Sequence, residues 1–123
     1  ERTMYRLVNE ERVKAGLDPL ELDLDLVRLA RLKSRDIVDN DYFDHTSPTY
    51  GSPFDMMKDF GITYRKAGEN LAGTISVEDA HVRLMNSRGH RANILDEEYT
   101  HIGIGIVEGS IYGKVYTQLF LKK

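Results

Sequence analysis

Apolar residues recur at helical spacing over most of the chain and switch to strict alternation in its last quarter. Met4, Leu7 and Val8 form the stripe of a first amphipathic helix, with Glu, Lys and Arg on the wet side. Asn9 and Arg12, three apart, share a face beside that stripe, where a solvated edge and an internal hydrogen-bonding role stand equally open. Gly16 ends this helix and Pro19 prevents its resumption. Asp23 or Asp25 caps a second, longer helix with Leu26, Leu29, Ala30 and Ile37 inward and Lys33, Arg35 and Asp36 on its other faces. It runs to about Asn40, whose tolerance of the left-handed conformation suits a helix end, and reads as a scaffold.

Tyr42–Tyr50 has no clean period and contains Pro48, as a loop does. Ser52-Pro53-Phe54-Asp55 opens a third helix with an N-cap, a first-turn proline and a capping acid, burying Phe54, Met57 and Phe60 before Gly61. Tyr64 to Ala72 is a short extended piece with a Gly-Glu-Asn turn inside it. Ser76 and Asp79 repeat the capping pattern ahead of Val77, Ala80, Leu84 and Met85, and His90 to Leu95 form a further helical turn. His81, at the edge of that stripe, reads as a partly exposed structural histidine. Ile102, Ile104 and Ile106 then alternate with Gly103 and Gly105, a strand with one bulky and one bare face. Two glycines on one face imply the close approach of another backbone or a ligand. Gly109-Ser110 is the expected turn into a second strand over 112–121, completing a hairpin. Helices followed by a late hairpin predict an α+β layered domain.

Composition narrows the class. A chain of 123 residues, 41% hydrophobic with three prolines, fits a single globular domain over 1–123. No apolar run approaches the roughly 20 residues of a membrane span. The net charge of −3 arises from acids and bases mixed along the chain, so no basic stripe points to nucleic acid. With no cysteine, thiolate ligands, disulfides and a cysteine nucleophile are excluded. The chain opens on Glu1 with no leader pattern before Met4, which reads as a mature or excised part of a longer precursor.

The candidate chemistry rests on His45, Glu69 and His90, spread over three segments. Two imidazoles and one carboxylate with an open position form a known catalytic zinc set. A Glu orienting a His that activates water needs no metal. There is no His-Glu-x-x-His helix and no Gly-x-Ser-x-Gly elbow. Ser47, beside Pro48, reads as a turn former and Ser87 as a helix-end residue. On spacing alone, a structural role in which each histidine braces a loop leads.

Phe43-Asp44-His45-Thr46-Ser47-Pro48, Gly68-Glu69-Asn70-Leu71-Ala72 and Gly89-His90-Arg91-Ala92-Asn93-Ile94-Leu95 together resemble the CAP superfamily. Tyr99-Thr100-His101-Ile102-Gly103-Ile104-Gly105 and Tyr116-Thr117-Gln118-Leu119-Phe120 extend the match. That superfamily contains the cysteine-rich secretory proteins, insect antigen 5 and the plant pathogenesis-related proteins; the chain is most similar to its bacterial SCP-like branch. The resemblance implies a three-layer α-β-α sandwich with a small antiparallel sheet between helices. It implies a cleft lined by two histidines and two glutamates, holding zinc or another divalent cation in some members. His45, Glu69 and His90 match three of these four. The segment matching the other acid reads Leu84-Met85-Asn86-Ser87, so the set is a triad. The resemblance also implies an extracellular location, secreted or associated with wall or spore.

Three functions follow as expectations. The first is a binding domain without firm catalytic activity, in which His45 and His90 hold a divalent cation or small ligand and Glu69 is a ligand or their anchor. The second is a hydrolase, peptidase-like, in which His45, Glu69 and His90 are catalytic. The third is a structural or adhesive surface module. No organic cofactor is expected, and the partner is a cell-surface or small-molecule ligand.

Overall fold

A computed structural model describes residues 1–123. In chain order the elements are α1 (Arg2–Lys14), β1 (Glu21–Leu22), α2 (Leu24–Asn40), α3 (Pro53–Asp59), β2 (Lys66–Thr74), α4 (Val77–Met85), α5 (Arg88–Ile94), β3 (His101–Ser110) and β4 (Gly113–Lys122). The strands form one sheet in the order β1-β3-β4-β2, antiparallel except for the two-residue parallel pairing of β1 with β3. Long-range pairing puts β2 beside β4 at one edge, where no further strand covers it.

The alternation of side chains along each strand separates two cores. One face of the sheet carries Ala72, Ile102, Ile104, Tyr116 and Phe120, packed with Met4 and Val8 of α1, Ala80 and Leu84 of α4 and Ile94 of α5. The other carries Leu119 and Leu121 against Leu26, Leu29 and Ala30 of α2 and Met56 and Met57 of α3. The result is the expected α-β-α sandwich. The bare face of β3 is where α2 lies: a Cβ at Gly103 would collide with the Leu26 carbonyl carbon, and one at Gly105 with the Arg31 amide nitrogen. Both are backbone atoms that cannot swing away. Ser34 fastens the same contact, donating to the Gly105 carbonyl at 2.9 Å and sharing a 2.7 Å hydrogen bond with Thr117 Oγ1.

Helix starts follow the caps. Asp23 accepts from the Leu26 amide, Ser52 and Asp55 form a full capping box, and Ser76 accepts from the Asp79 amide. The Asp79 carboxylate instead binds Thr74 and Arg83.

Several details depart from expectation. In α3 the inward face is Pro53, Met56 and Met57; Phe54 is 48% exposed and Phe60 47%. Residues 53, 56 and 57 share a helical face, and position 54 lies about 100° around the helix from 53. Phe54 and Phe60 settle against Tyr64 and Tyr50 on the surface. The left-handed residue after α2 is Asp41 rather than Asn40. β3 continues through Ser110 after a register shift, so the chain turns at Ile111-Tyr112, with positive φ at Gly109 and Gly113. Gly68-Glu69-Asn70 is no turn but unbroken strand, paired with Phe120, Leu119 and Gln118.

Asn9 and Arg12 take the internal role. Asn9 exchanges hydrogen bonds with the Leu20 amide and carbonyl. Arg12, only 1% exposed, donates to the carbonyls of Asp18, Ile94, Asp96 and Tyr99, fixing the chain that leaves α5.

Candidate functional site

Because Glu69 and Asn70 are consecutive in a strand, their side chains leave on opposite faces of the sheet. Each reaches one histidine. Glu69 points to the α2 side, where its Oε1 lies 2.8 Å from Nδ1 of His45. Asn70 points to the α5 side, where its Nδ2 donates to the carbonyl of His90 at 3.0 Å. The two histidines therefore belong to segments on opposite faces of the sheet, on either side of β2.

The His45 loop is built on polar residues of α2. Lys33, 2% exposed, donates through Nζ to the carbonyls of Asp44 at 2.8 Å and His45 at 3.0 Å. One turn on, the Asp36 carboxylate accepts from Asn40, Tyr42, Ser47 and Thr49. Burial opposes the charge on Asp36, but these four donors outweigh it and hold its pKa below the ordinary carboxyl value. Ser47 Oγ also accepts from the amides of Thr49 and Tyr50, which makes it the staple of a turn rather than a nucleophile. Lys33 and Asp36 are the site residues that sequence reasoning missed. Their signal was present: Lys33 falls three residues after Ala30 on the apolar stripe, where a charge is out of place unless it has buried partners.

On the other layer the support is uncharged. Asn70 Nδ2 also donates to Gln118 Oε1 at 3.1 Å, and Asn93 Nδ2 donates to Asn70 Oδ1 at 2.9 Å. This amide chain ties β4, β2 and α5 together beneath His90.

The pair beneath the cleft is asymmetric. The Glu69 side chain is 2% exposed and the His45 side chain 54%, so the acid anchors a ring that faces solvent. The hydrogen bond that His45 Nδ1 donates to Glu69 raises the His45 pKa against the opposing effect of burial. Burial raises the Glu69 pKa, with His45 and Lys33 pulling it back. Burial, followed by the charge of His45, lowers the His90 pKa, which favours a neutral imidazole with a free electron pair. Glu69 Oε2 is buried and has no hydrogen-bond partner. A buried carboxylate oxygen without a donor is unfavourable by about 1–3 kcal/mol.

From His90 a groove of about 450 Å³ runs along Leu71, Ala72 and Gly73 to Phe43 and Tyr112. No three His, Cys, Asp or Glu side chains stand together as a metal set. What the fold brings together is one carboxylate–imidazole pair, with His90 lining the groove beside β2. Glu69 behind His45 is the carboxylate–histidine arrangement that orients an imidazole ring. His81 lies elsewhere, 7% exposed with Nε2 3.6 Å from Glu11, and is more buried than expected. His101 pairs with Glu21 on the β1 side.

This sandwich with its edge cleft defines a CAP domain of the bacterial SCP-containing type. The chain belongs to the cysteine-rich secretory protein family, CAP, whose profile matches residues 5–120. It is 53% identical over 124 residues to YkwD of Bacillus subtilis, an alignment covering all of this chain and 47% of YkwD. The structure is similar to that of an extracellular protein containing a SCP domain from Bacillus anthracis, with a TM-score of 0.91 and 35% identity over 99% of this chain and 40% of that one. An outer surface protein from Borrelia burgdorferi shares the fold at a TM-score of 0.91 and 21% identity, over 99% of this chain and 91% of that one. The chain thus spans less than half the length of YkwD and of the Bacillus anthracis protein.

Proposed function

We propose that this is an extracellular binding domain whose cleft takes a divalent cation, zinc in the first instance, held by His45 and His90 with Glu69 anchoring the His45 ring. The observation that carries this reading is the solvent-facing His45 fixed by a buried Glu69 whose second oxygen lacks a partner. A bound cation would supply an open coordination position for a small ligand. The extracellular location is supported by the 35%-identical Bacillus anthracis protein, described as extracellular. No helix is long and apolar enough to cross a membrane. Calorimetric titration of chelator-treated protein with zinc should give a single site that disappears in the His45→Ala and His90→Ala variants. No heat and no zinc-dependent rise in melting temperature would refute it.

The same Glu69–His45 hydrogen bond also favours a second reading, a hydrolase in which Glu69 orients His45 as general base. Peptide-hydrolysing activity that survives purification and vanishes in Glu69→Gln would establish it; activity retained in that variant would exclude it.

A further inference from the structure

At the edge of the sheet opposite β2, the short strand β1 covers only His101 and Ile102 of β3. Beyond it, a groove of about 570 Å³ lies between the first turns of α1 and α2. That size falls within the roughly 300–1,000 Å³ of small-molecule sites. The buried Val27 and Ile104 form its apolar base, together with the ring of Tyr5, whose hydroxyl donates to the Leu20 carbonyl. Leu22 and Leu24 line it while 46% and 67% exposed, and neither belongs to the cores on the two faces of the sheet. The groove shares no lining residue with the one that starts at His90.

The charged residues lining the groove are Arg2, Arg28 and Arg31 against a single acid, Glu1. Arg31 grips the Glu1 carboxylate through both Nε and Nη2, and the Ile106 amide donates to Glu1 Oε2 at 3.3 Å. The groove thus already holds one carboxylate of its own chain in a guanidinium fork. Arg2 enters no ion pair. Arg28 meets only Asp25, at 3.5 Å with the two side chains 76% and 72% exposed, where solvent screens the contact. In a chain of net charge −3, two guanidinium groups without a close acid stand beside an uncovered apolar surface.

We infer that this groove binds a small amphipathic carboxylate, its alkyl body on Leu22, Leu24, Val27 and Ile104 and its head group at Arg2 and Arg28. The alkyl body takes the two exposed leucines out of water. The guanidinium groups match a carboxylate in charge and in geometry. Glu1 is the resident competitor for this head group: without its charge, Arg31 and the Ile106 amide become available to the same ligand. The site is separate from the histidine cleft and does not depend on a cation there.

The test titrates decanoate, below its micelle concentration and without added metal, into the protein by calorimetry, with methyl NMR on Leu22, Leu24, Val27 and Ile104. Decanoate should bind saturably and shift those methyl signals, whereas decyltrimethylammonium and acetate should do neither. The Arg2→Gln/Arg28→Gln double variant should bind decanoate about fivefold more weakly, the size of an exposed charge contact. Leu22→Gln/Leu24→Gln should weaken it about tenfold through lost apolar burial. These positions are all exposed, so the variants keep the fold. Glu1→Gln should tighten binding, a gain that damage to the fold would not produce. No saturable binding overturns the inference, as does equal binding of the ammonium amphiphile, shifts confined to another surface, or unchanged affinity in both double variants. Association with phosphatidylglycerol vesicles while free decanoate fails to bind would assign the face to a lipid surface and equally overturn it.

Discussion

The two histidines of the cleft are held by opposite means. His45 sits on a loop fastened by charge: Lys33 on its carbonyl, Asp36 on the turn behind it and Glu69 on its ring. His90 sits on a short helix fastened by neutral amides from Asn70, Asn93 and Gln118, with Arg12 further back gripping the chain after Ile94. Buried charges hold strongly when fully partnered but respond to acid and fail badly when one partner is lost. Amide chains do neither to the same degree. The comparison teaches that the support of one histidine is titratable and the amide support of the other is not, although both carry the same imidazole.

The largest expected effect separates the two supports directly. Asp36→Ala leaves the hydroxyls of Ser47 and Tyr42 without their shared acceptor and should lower stability by about 3–4 kcal/mol, since each buried unpaired polar group is unfavourable by about 1–3 kcal/mol. Asn70→Ala removes two donated bonds and one accepted bond, and should lower it by about 2 kcal/mol. Chemical denaturation measures both. NMR should place the first change on residues 42–50 and the second on 88–95. Disturbance of both segments by either variant would mean that the cleft is one cooperative unit rather than two.

How much of this was legible before the fold was known depends on the kind of residue. The bare Gly103–Gly105 face predicted a close backbone, and that backbone is α2. Ser52 and Ser76 marked helix starts because a cap is a local interaction. His45, Glu69 and His90 were identified by their segments, and the fold brings the first two into contact and sets the third across the sheet edge. Lys33 and Asp36 were assigned to outer faces of α2 because their partners lie in a loop that has no sequence period of its own. The strand character of Gly68-Glu69-Asn70 was hidden too, since glycine and asparagine favour turns and only pairing with β4 overrides that preference. The opposite-face placement of Glu69 and Asn70, on which the whole cleft depends, follows from that pairing alone.

A pH titration sharpens the same comparison at intermediate size. The Asp36 carboxyl is held below its ordinary value of 3.8. A group depressed in the folded state contributes stability above its unfolded pKa and loses it as pH falls through the folded one. The loop of His45 should therefore loosen below about pH 3.8 while the amide-held α5 does not. Hydrogen exchange of residues 42–50 against 88–95, followed from mildly acidic pH down through the Asp36 transition, checks this. Equal acceleration in both segments would place the acid-labile group elsewhere, Asp96 beside Arg12 being the next candidate.

The smallest expected change in stability belongs to Lys33→Met, and it is the sharpest test of what the charged support is for. Lys33 is buried without a carboxylate hydrogen-bond partner, and burial lowers its pKa. Two carbonyl hydrogen bonds favour the charged lysine, and desolvation disfavours it. A methionine of similar shape gives up both, so the net change in stability should stay within about 1 kcal/mol. The site should respond more than the fold, because the His45 carbonyl then loses its only charged donor while Glu69 still draws on the ring. Zinc affinity should fall about tenfold, roughly 1.4 kcal/mol, with the melting temperature shifted only a few degrees. If both quantities move together in proportion, Lys33 stabilises the domain as a whole; if affinity alone falls, it positions the loop of His45.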